Sequence, residues 1–248
     1  MKLDFFDCNA QIGRFGTPVA ESFFAPGELL EKLAPLGIRR ALVYHALAKE
    51  LHPADGNPVL LDEIEGLPLT PCWVAMPHHT GEMPQPFELV ERMKAYGVPA
   101  ARLFPTLHSF SLSDWCAGDL LDAFEANRVP VFLELAQTNW DHIAAALVSH
   151  PDLRLVLVQT SYRCDRLLYP LLEKYPNLAI EISNYMVSGG IEAICGRFGA
   201  SRLLFGTGSP MLEPGGPVAM VTYAEIADED KQLIAAGNLE RLLGWLDE

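Results

Sequence analysis

Eight apolar runs of strand length recur along this 248-residue chain at intervals of 24 to 36 residues, and that spacing limits the available folds more than any other feature. The runs are Leu3–Asn9, Arg39–His45, Leu69–Met76, Ala100–Phe104, Val129–Leu135, Leu153–Gln159, Leu178–Ser183 and Arg202–Gly208. Several are close to continuously hydrophobic, as in Leu155-Val156-Leu157-Val158. That is the pattern of parallel strands covered by helices on their outer side. The intervening stretches read as helices. The one opening at Pro26 puts Leu29, Leu30 and Leu33 on one face and stops at Gly37; the one opening at Pro86 gathers Val90, Met93 and Tyr96 and stops at Gly97. Thr138 or Asn139 is placed to cap a helix burying Ile143, Leu147 and Val148, and Asp228 and Asn238 to cap two short closing helices. Eight strands alternating with helices over residues 1–248 predict a single (β/α)8 TIM barrel, of class α/β. An open doubly wound sheet is the alternative. It is disfavoured because no G-x-G-x-x-G follows the first run.

Composition removes several classes of function. Half the residues are hydrophobic, enough for one large core, yet no stretch reaches the roughly 18 apolar residues of a membrane span. The formal charge of −14 would repel a phosphate backbone, so nucleic acid is not an expected partner. Met1-Lys2-Leu3-Asp4 has an acid where a signal peptide would begin its apolar run, and the expectation is a cytoplasmic protein. The five cysteines are scattered with no C-x-x-C, which indicates neither a disulfide framework nor a zinc knuckle. Cys8 is expected to face the helices. Cys164, beside Arg163, has no histidine at a spacing that would activate it.

In barrels of this kind chemistry gathers where the strands end and the following loops begin. Those positions hold Asn9 and Gln11, Tyr44 and His45, Arg102, Glu134, Gln159, Glu181 and Ser183, and Thr207 and Gly208. Glu134, pointing inward from strand five, is the expected proton carrier, with His45 as its partner; a carboxylate in an apolar wall suits general acid or base work. The alternative is a glutamate ion-paired with an arginine. Arg14, Arg102 and Arg163 fall near the mouth and would together hold a carboxylate or phosphate. His78, His79, His108 and His142 read as loop or helix-surface residues.

The order of these segments resembles the amidohydrolase-related family, which includes aminocarboxymuconate-semialdehyde decarboxylase. DFFDCNAQIG is similar to its D-x-H-x-H-x-G opening, ARLFP to its fourth-strand G-x-R-L-x-P, and VPVFLEL and PDLRLVLVQTSYR to its fifth and sixth strands. SRLLFGTGSP is similar to its eighth-strand FG-[ST]-D-x-P, and AAGNLERLLGW to its closing helix. The resemblance implies a small-molecule site in a family of hydrolases and decarboxylases that hold divalent metals through four histidines and an aspartate. Here those five places hold Asn9, Gln11, Glu134, Gln159 and Gly208. Three amides and one carboxylate are a poor set for zinc, so neither a metal nor another cofactor is expected. Four of the five replacements are polar, and Asn9, Gln11 and Gln159 either grip a polar ligand or bond to each other.

Two classes of function stay open. One is a metal-free hydrolase or lyase acting on a small anionic carboxylate, as the resemblance to 2-pyrone-4,6-dicarboxylate lactonases implies, with Glu134 and His45 catalytic and Asn9, Gln11, Arg14, Arg102, Gln159 and Arg163 binding substrate. The other is an inactive barrel serving as a binding or regulatory subunit. A metal-dependent hydrolase with a different ligand set is a third reading. The resemblance also leaves a homodimer open.

Overall fold

The computed structural model describes residues 3–16 and 24–247. Strands β1 (Phe5–Ile12), β2 (Ile38–His45), β3 (Leu69–Ala75), β4 (Ala100–Leu103), β5 (Val131–Glu134), β6 (Leu155–Val158), β7 (Leu178–Glu181) and β8 (Leu203–Leu204) form one parallel sheet in sequence order. The helices between and after them are α1 (Pro26–Leu33), α2 (Ala46–Glu50), α3 (Pro53–Ile64), α4 (Pro86–Ala95), α5 (Asp114–Ala126), α6 (Trp140–Ser149), α7 (Asp165–Lys174), α8 (Gly190–Phe198), α9 (Gly215–Tyr223), α10 (Asp228–Gln232) and α11 (Asn238–Leu243). The sheet closes where the chain beyond β8 meets β1: Cys8 N donates to Phe205 O, Gln11 N to Ser209 O, and Gly208 N to Asn9 O, at 2.8–2.9 Å. The expected (β/α)8 barrel is the observed fold. Among the described residues no helix is long and apolar enough to cross a membrane.

Period-two alternation sorts the strand residues into two cores. Val43, Leu103, Leu133, Leu157 and Ile180 pack outward against helices. Leu42, Tyr44, Val74, Phe104, Phe132, Val156 and Val158 fill the barrel. The register of β1 slips between Asp7 and Ala10, a bulge that breaks this alternation. Phe6 and Cys8 pack with the barrel interior, and Asn9 within the bulge and Gln11 beyond it also face that side. Cys8 therefore does not face the helices as strict alternation predicts.

The helix ends largely follow the sequence signals. Gly37 ends the first helical segment at φ 81°, and Asn139 caps α6 by accepting from His142 N at 2.9 Å. Val148 and Tyr96, expected on buried stripes, are exposed. Asp228 and Asn238 are not caps. A π-helical turn, Leu233–Gly237, runs α10 into α11, and the buried Asn238 amide donates to Ala200 O and Leu203 O at 2.8 Å, pinning this segment beside β8. Short α2 crosses α3 at Gly56, where a Cβ would stand 2.1 Å from Ala48 N. Gly56→Ala should gain about 1 kcal/mol of helix propensity. It should lose more than that, by roughly 1–3 kcal/mol, to the forced separation of the helices. A urea midpoint below the parent's is expected; an unchanged or higher one would show that α2 yields freely.

Candidate functional site

The strand ends bring together a chain of buried polar groups. Asp7, fully buried, accepts from Asn9 N and Thr207 N at 2.9 Å and from the Thr207 hydroxyl, tying β1 to the segment after β8. Burial holds the Asp7 carboxyl above its ordinary range despite these donors. Two residues on, the Asn9 side chain is held at both ends: Arg102 Nη1 donates to Oδ1 at 2.8 Å, and Nδ2 donates to Glu181 Oε2 at 3.0 Å. Glu181, at the end of β7, also accepts from Gln159 N at 3.2 Å, from Ser183 Oγ at 2.9 Å and from Ser183 N. Burial outweighs those donors and pushes its carboxyl up to about 7. Gly206 makes room for it, since a Cβ there would lie 2.5 Å from Glu181 Cγ.

Arg102 is the centre of this chain. Its side chain is 1% exposed, and its guanidinium carbon stands 4.2 Å from the Tyr44 ring centroid and 5.4 Å from that of Phe104. Nη1 serves Asn9. Nε and Nη2, the two donors of the adjacent edge, have no hydrogen-bond partner among the described residues. Glu134 Oε2 lies 3.9 Å from Nη2, inside ion-pair range but beyond a hydrogen bond, and has no hydrogen-bond partner among the described residues. Gln11, whose register partner is Tyr44, is 2% exposed, and neither of its amide atoms has a hydrogen-bond partner among the described residues. Lys49 of α2 stands 5.2 Å from the Phe104 ring centroid, and its ammonium feels both Glu134 and Arg102. Burial lowers its pKa, an effect Glu134 partly offsets.

The other expected residues lie apart from this group. His45 follows Tyr44 and so takes the opposite side of β2. Its Nδ1 accepts from Leu47 N at 3.0 Å, and Nε2 faces Glu63 of α3 at 3.4 Å. Its ring packs where a Cβ on Gly13 would be, 2.4 Å from Nε2. It therefore turns toward α3, and not toward Glu134 as the sequence suggests. Arg14 is exposed and stacks on Phe24 at 4.5 Å, and Arg163 is exposed and stacks on Tyr162 at 5.0 Å. The expected convergence of three arginines is reduced to Arg102 with Lys49. Gln159 adopts φ 55° and contributes its backbone N–H to Glu181, and Gly208 adopts φ 69°.

Sequence reading missed Lys49 and the role of His108, which buttresses it. His108 Nε2 lies 2.7 Å from Lys49 O, in place of a plain loop position. The only signal for Lys49 was its place one helical turn beyond a strand end. A cleft of about 910 Å³ lies elsewhere, between α3 and α4 on the outside of the barrel, and none of the residues of this buried chain lines it. Unsatisfied buried donors and acceptors point to the strand ends more directly than cleft volume does.

A family model described as amidohydrolase matches residues 83–245. No curated protein matches the chain. Solved structures resemble it over nearly their whole length. An uncharacterized TIM-barrel protein from Bordetella bronchiseptica is 19% identical with a TM-score of 0.75, covering 99% of this chain and 100% of that one. A 2,6-dihydroxybenzoate decarboxylase from Rhizobium is 14% identical with a TM-score of 0.77, covering 100% of both chains. A candidate 2-pyrone-4,6-dicarboxylic acid hydrolase from Pseudomonas putida is 16% identical with a TM-score of 0.70, covering 99% of each.

Proposed function

The chain belongs to the amidohydrolase family, and from that premise we propose that it is a metal-independent hydrolase of a small, carboxylate-bearing lactone or ester. One observation carries the reading: the Nε–Nη2 edge of Arg102 is a fixed, desolvated fork of two donors without hydrogen-bond partners among the described residues, facing Glu134. A carboxylate matches such a fork bidentately. Of the five places that would hold a metal, four do not suit one, and the fifth offers only the Gln11 amide. Asn9 gives its only side-chain oxygen to a guanidinium, Glu134 faces that same cation, Gln159 reaches the site through its backbone, and Gly208 has no side chain. The positive charge at this point is already supplied by Arg102, with Lys49 nearby.

In the reaction proposed, Arg102 and Lys49 hold the substrate's carboxylate. Glu134 takes a proton from water as the water oxygen bonds to the acyl carbon, and the Gln11 amide N–H donates to the oxyanion that develops. Collapse breaks the acyl–oxygen bond, and the departing alkoxide takes the proton from Glu134. Asn9 and Glu181 act as positioning residues behind Arg102.

The test is a panel of carboxylated lactones and esters assayed after dialysis against a chelator. Ring opening that persists without metal is expected, falling at least about 100-fold in Glu134→Gln with the fold intact. Turnover that appears only on adding metal would overturn metal independence. Full activity in Glu134→Gln would remove the proton carrier. Release of carbon dioxide in place of ring opening would assign the same fork to a lyase. Absence of both, with carboxylate binding retained, would make the barrel a binding subunit.

A further inference from the structure

The geometry points to a divalent transition-metal site on the outer surface of the barrel, formed by His150 with Asp122 and Glu125. Asp122 and Glu125 are three residues apart on α5 and so share a face, while His150 ends α6. One ligand atom from each lies within 4.8 Å of the others. Exposed carboxylates alone would mean little, but the imidazole is different. His150 is 2% exposed, and neither ring nitrogen has a hydrogen-bond partner among the described residues. Leaving a polar ring buried without a hydrogen bond is costly.

Nδ1 stands 3.1 Å from Asp122 Oδ1, and Nε2 stands 3.8 Å from Asp114 Oδ1, both inside ion-pair range, yet neither contact meets hydrogen-bond geometry. The nitrogen and oxygen lie side by side, as two ligands of one ion do. Bonds of about 2.0 Å at a tetrahedral angle put ligand atoms roughly 3.3 Å apart. Glu125 Oε1 accepts from Asp152 N at 2.7 Å, which orients the carboxylate as an outer hydrogen bond orients a metal ligand. One imidazole and two carboxylates form the mixed nitrogen–oxygen set that zinc accepts, with water completing the shell. Such an ion would clip the end of α6 to α5, away from the strand ends and independent of any reaction there.

Titration of the untagged full chain with cobalt(II) chloride, read by visible absorption and by thermal unfolding, tests the site. About one equivalent is expected, with unfolding temperature rising as cobalt is added. Asp122→Asn and Glu125→Gln alter partly or fully exposed side chains and should each weaken cobalt binding at least tenfold, whereas His79→Asn and Glu134→Gln should leave it unchanged. Zinc should displace the cobalt. Binding that survives both α5 substitutions, or that is lost in His79→Asn or Glu134→Gln, would overturn the assignment. So would the absence of any binding at millimolar cobalt.

Discussion

Arg102→Ala is expected to unfold at a urea midpoint corresponding to a loss of roughly 3–5 kcal/mol, because it removes one member of a buried charge network and leaves the others uncompensated. The residue is 1% exposed. Without it Asn9 Oδ1 loses its donor, Glu134 faces no guanidinium, and a void opens between Tyr44 and Phe104. Affinity for small carboxylates should fall at least about tenfold, and any turnover about 1000-fold, since the fork is fixed before the ligand arrives. Arg102→Lys separates charge from shape. It keeps a cation but cannot present two donors on one edge, so it should recover stability more fully than affinity. If Arg102→Ala binds carboxylates as tightly as the parent, the fork is a structural cation and the substrate site lies elsewhere. If Arg102→Lys restores affinity in full, charge alone recruits the ligand.

The architecture was legible in the sequence because burial on both faces of a parallel strand writes an unbroken apolar run, and eight such runs were visible. The site was only partly legible, for reasons that can be located. Arg102 and Glu134 lie at or near strand ends, and their inward direction followed from the alternation with Phe104 and Phe132; Gln159 follows the inward Val158 and breaks the alternation at φ 55°. Tyr44 and His45 are neighbours, so only one could enter the barrel; the apolar interior took Tyr44, and His45 turned to Leu47 and Glu63. The bulge in β1 has no letter in the sequence, and it is what brings Cys8 and Asn9 to the same side. Arg14 and Arg163 sit on exposed segments, where a guanidinium finds the nearest aromatic ring as readily as a shared site. Glu181 was visible as a strand end, but its donors come from three separate segments, β1 and the stretches after β6 and β7.

That burial gives Glu181 a pH signature. Its folded pKa is about 7 against an ordinary 4.5, so between those values the folded chain holds a proton that the unfolded chain has released. By linkage, stability falls as pH rises wherever the folded state binds more protons. The contribution is complete below about pH 4.5, is lost progressively as pH rises toward 7, and amounts to roughly 3 kcal/mol. Burial lowers the pKa of His45, which has the opposite sign and makes the folded state gain stability as pH rises toward 6.5. The difference between parent and Glu181→Gln at each pH therefore isolates the carboxylate. Urea midpoints at pH 5, 6, 7 and 8 should show the parent losing stability relative to Glu181→Gln, and parallel curves would mean that the donors from Ser183, Gln159 and Asn9 keep the group ionised throughout. The same proton bears on Arg102. An ionised Glu181 accepts from Asn9 Nδ2 and so keeps Oδ1 turned to the guanidinium; a neutral acid can donate to Oδ1 and compete with Arg102 for it. Carboxylate affinity should therefore change across neutral pH in the parent and stay level in Glu181→Gln, linking a buried proton at β7 to the fork on β4.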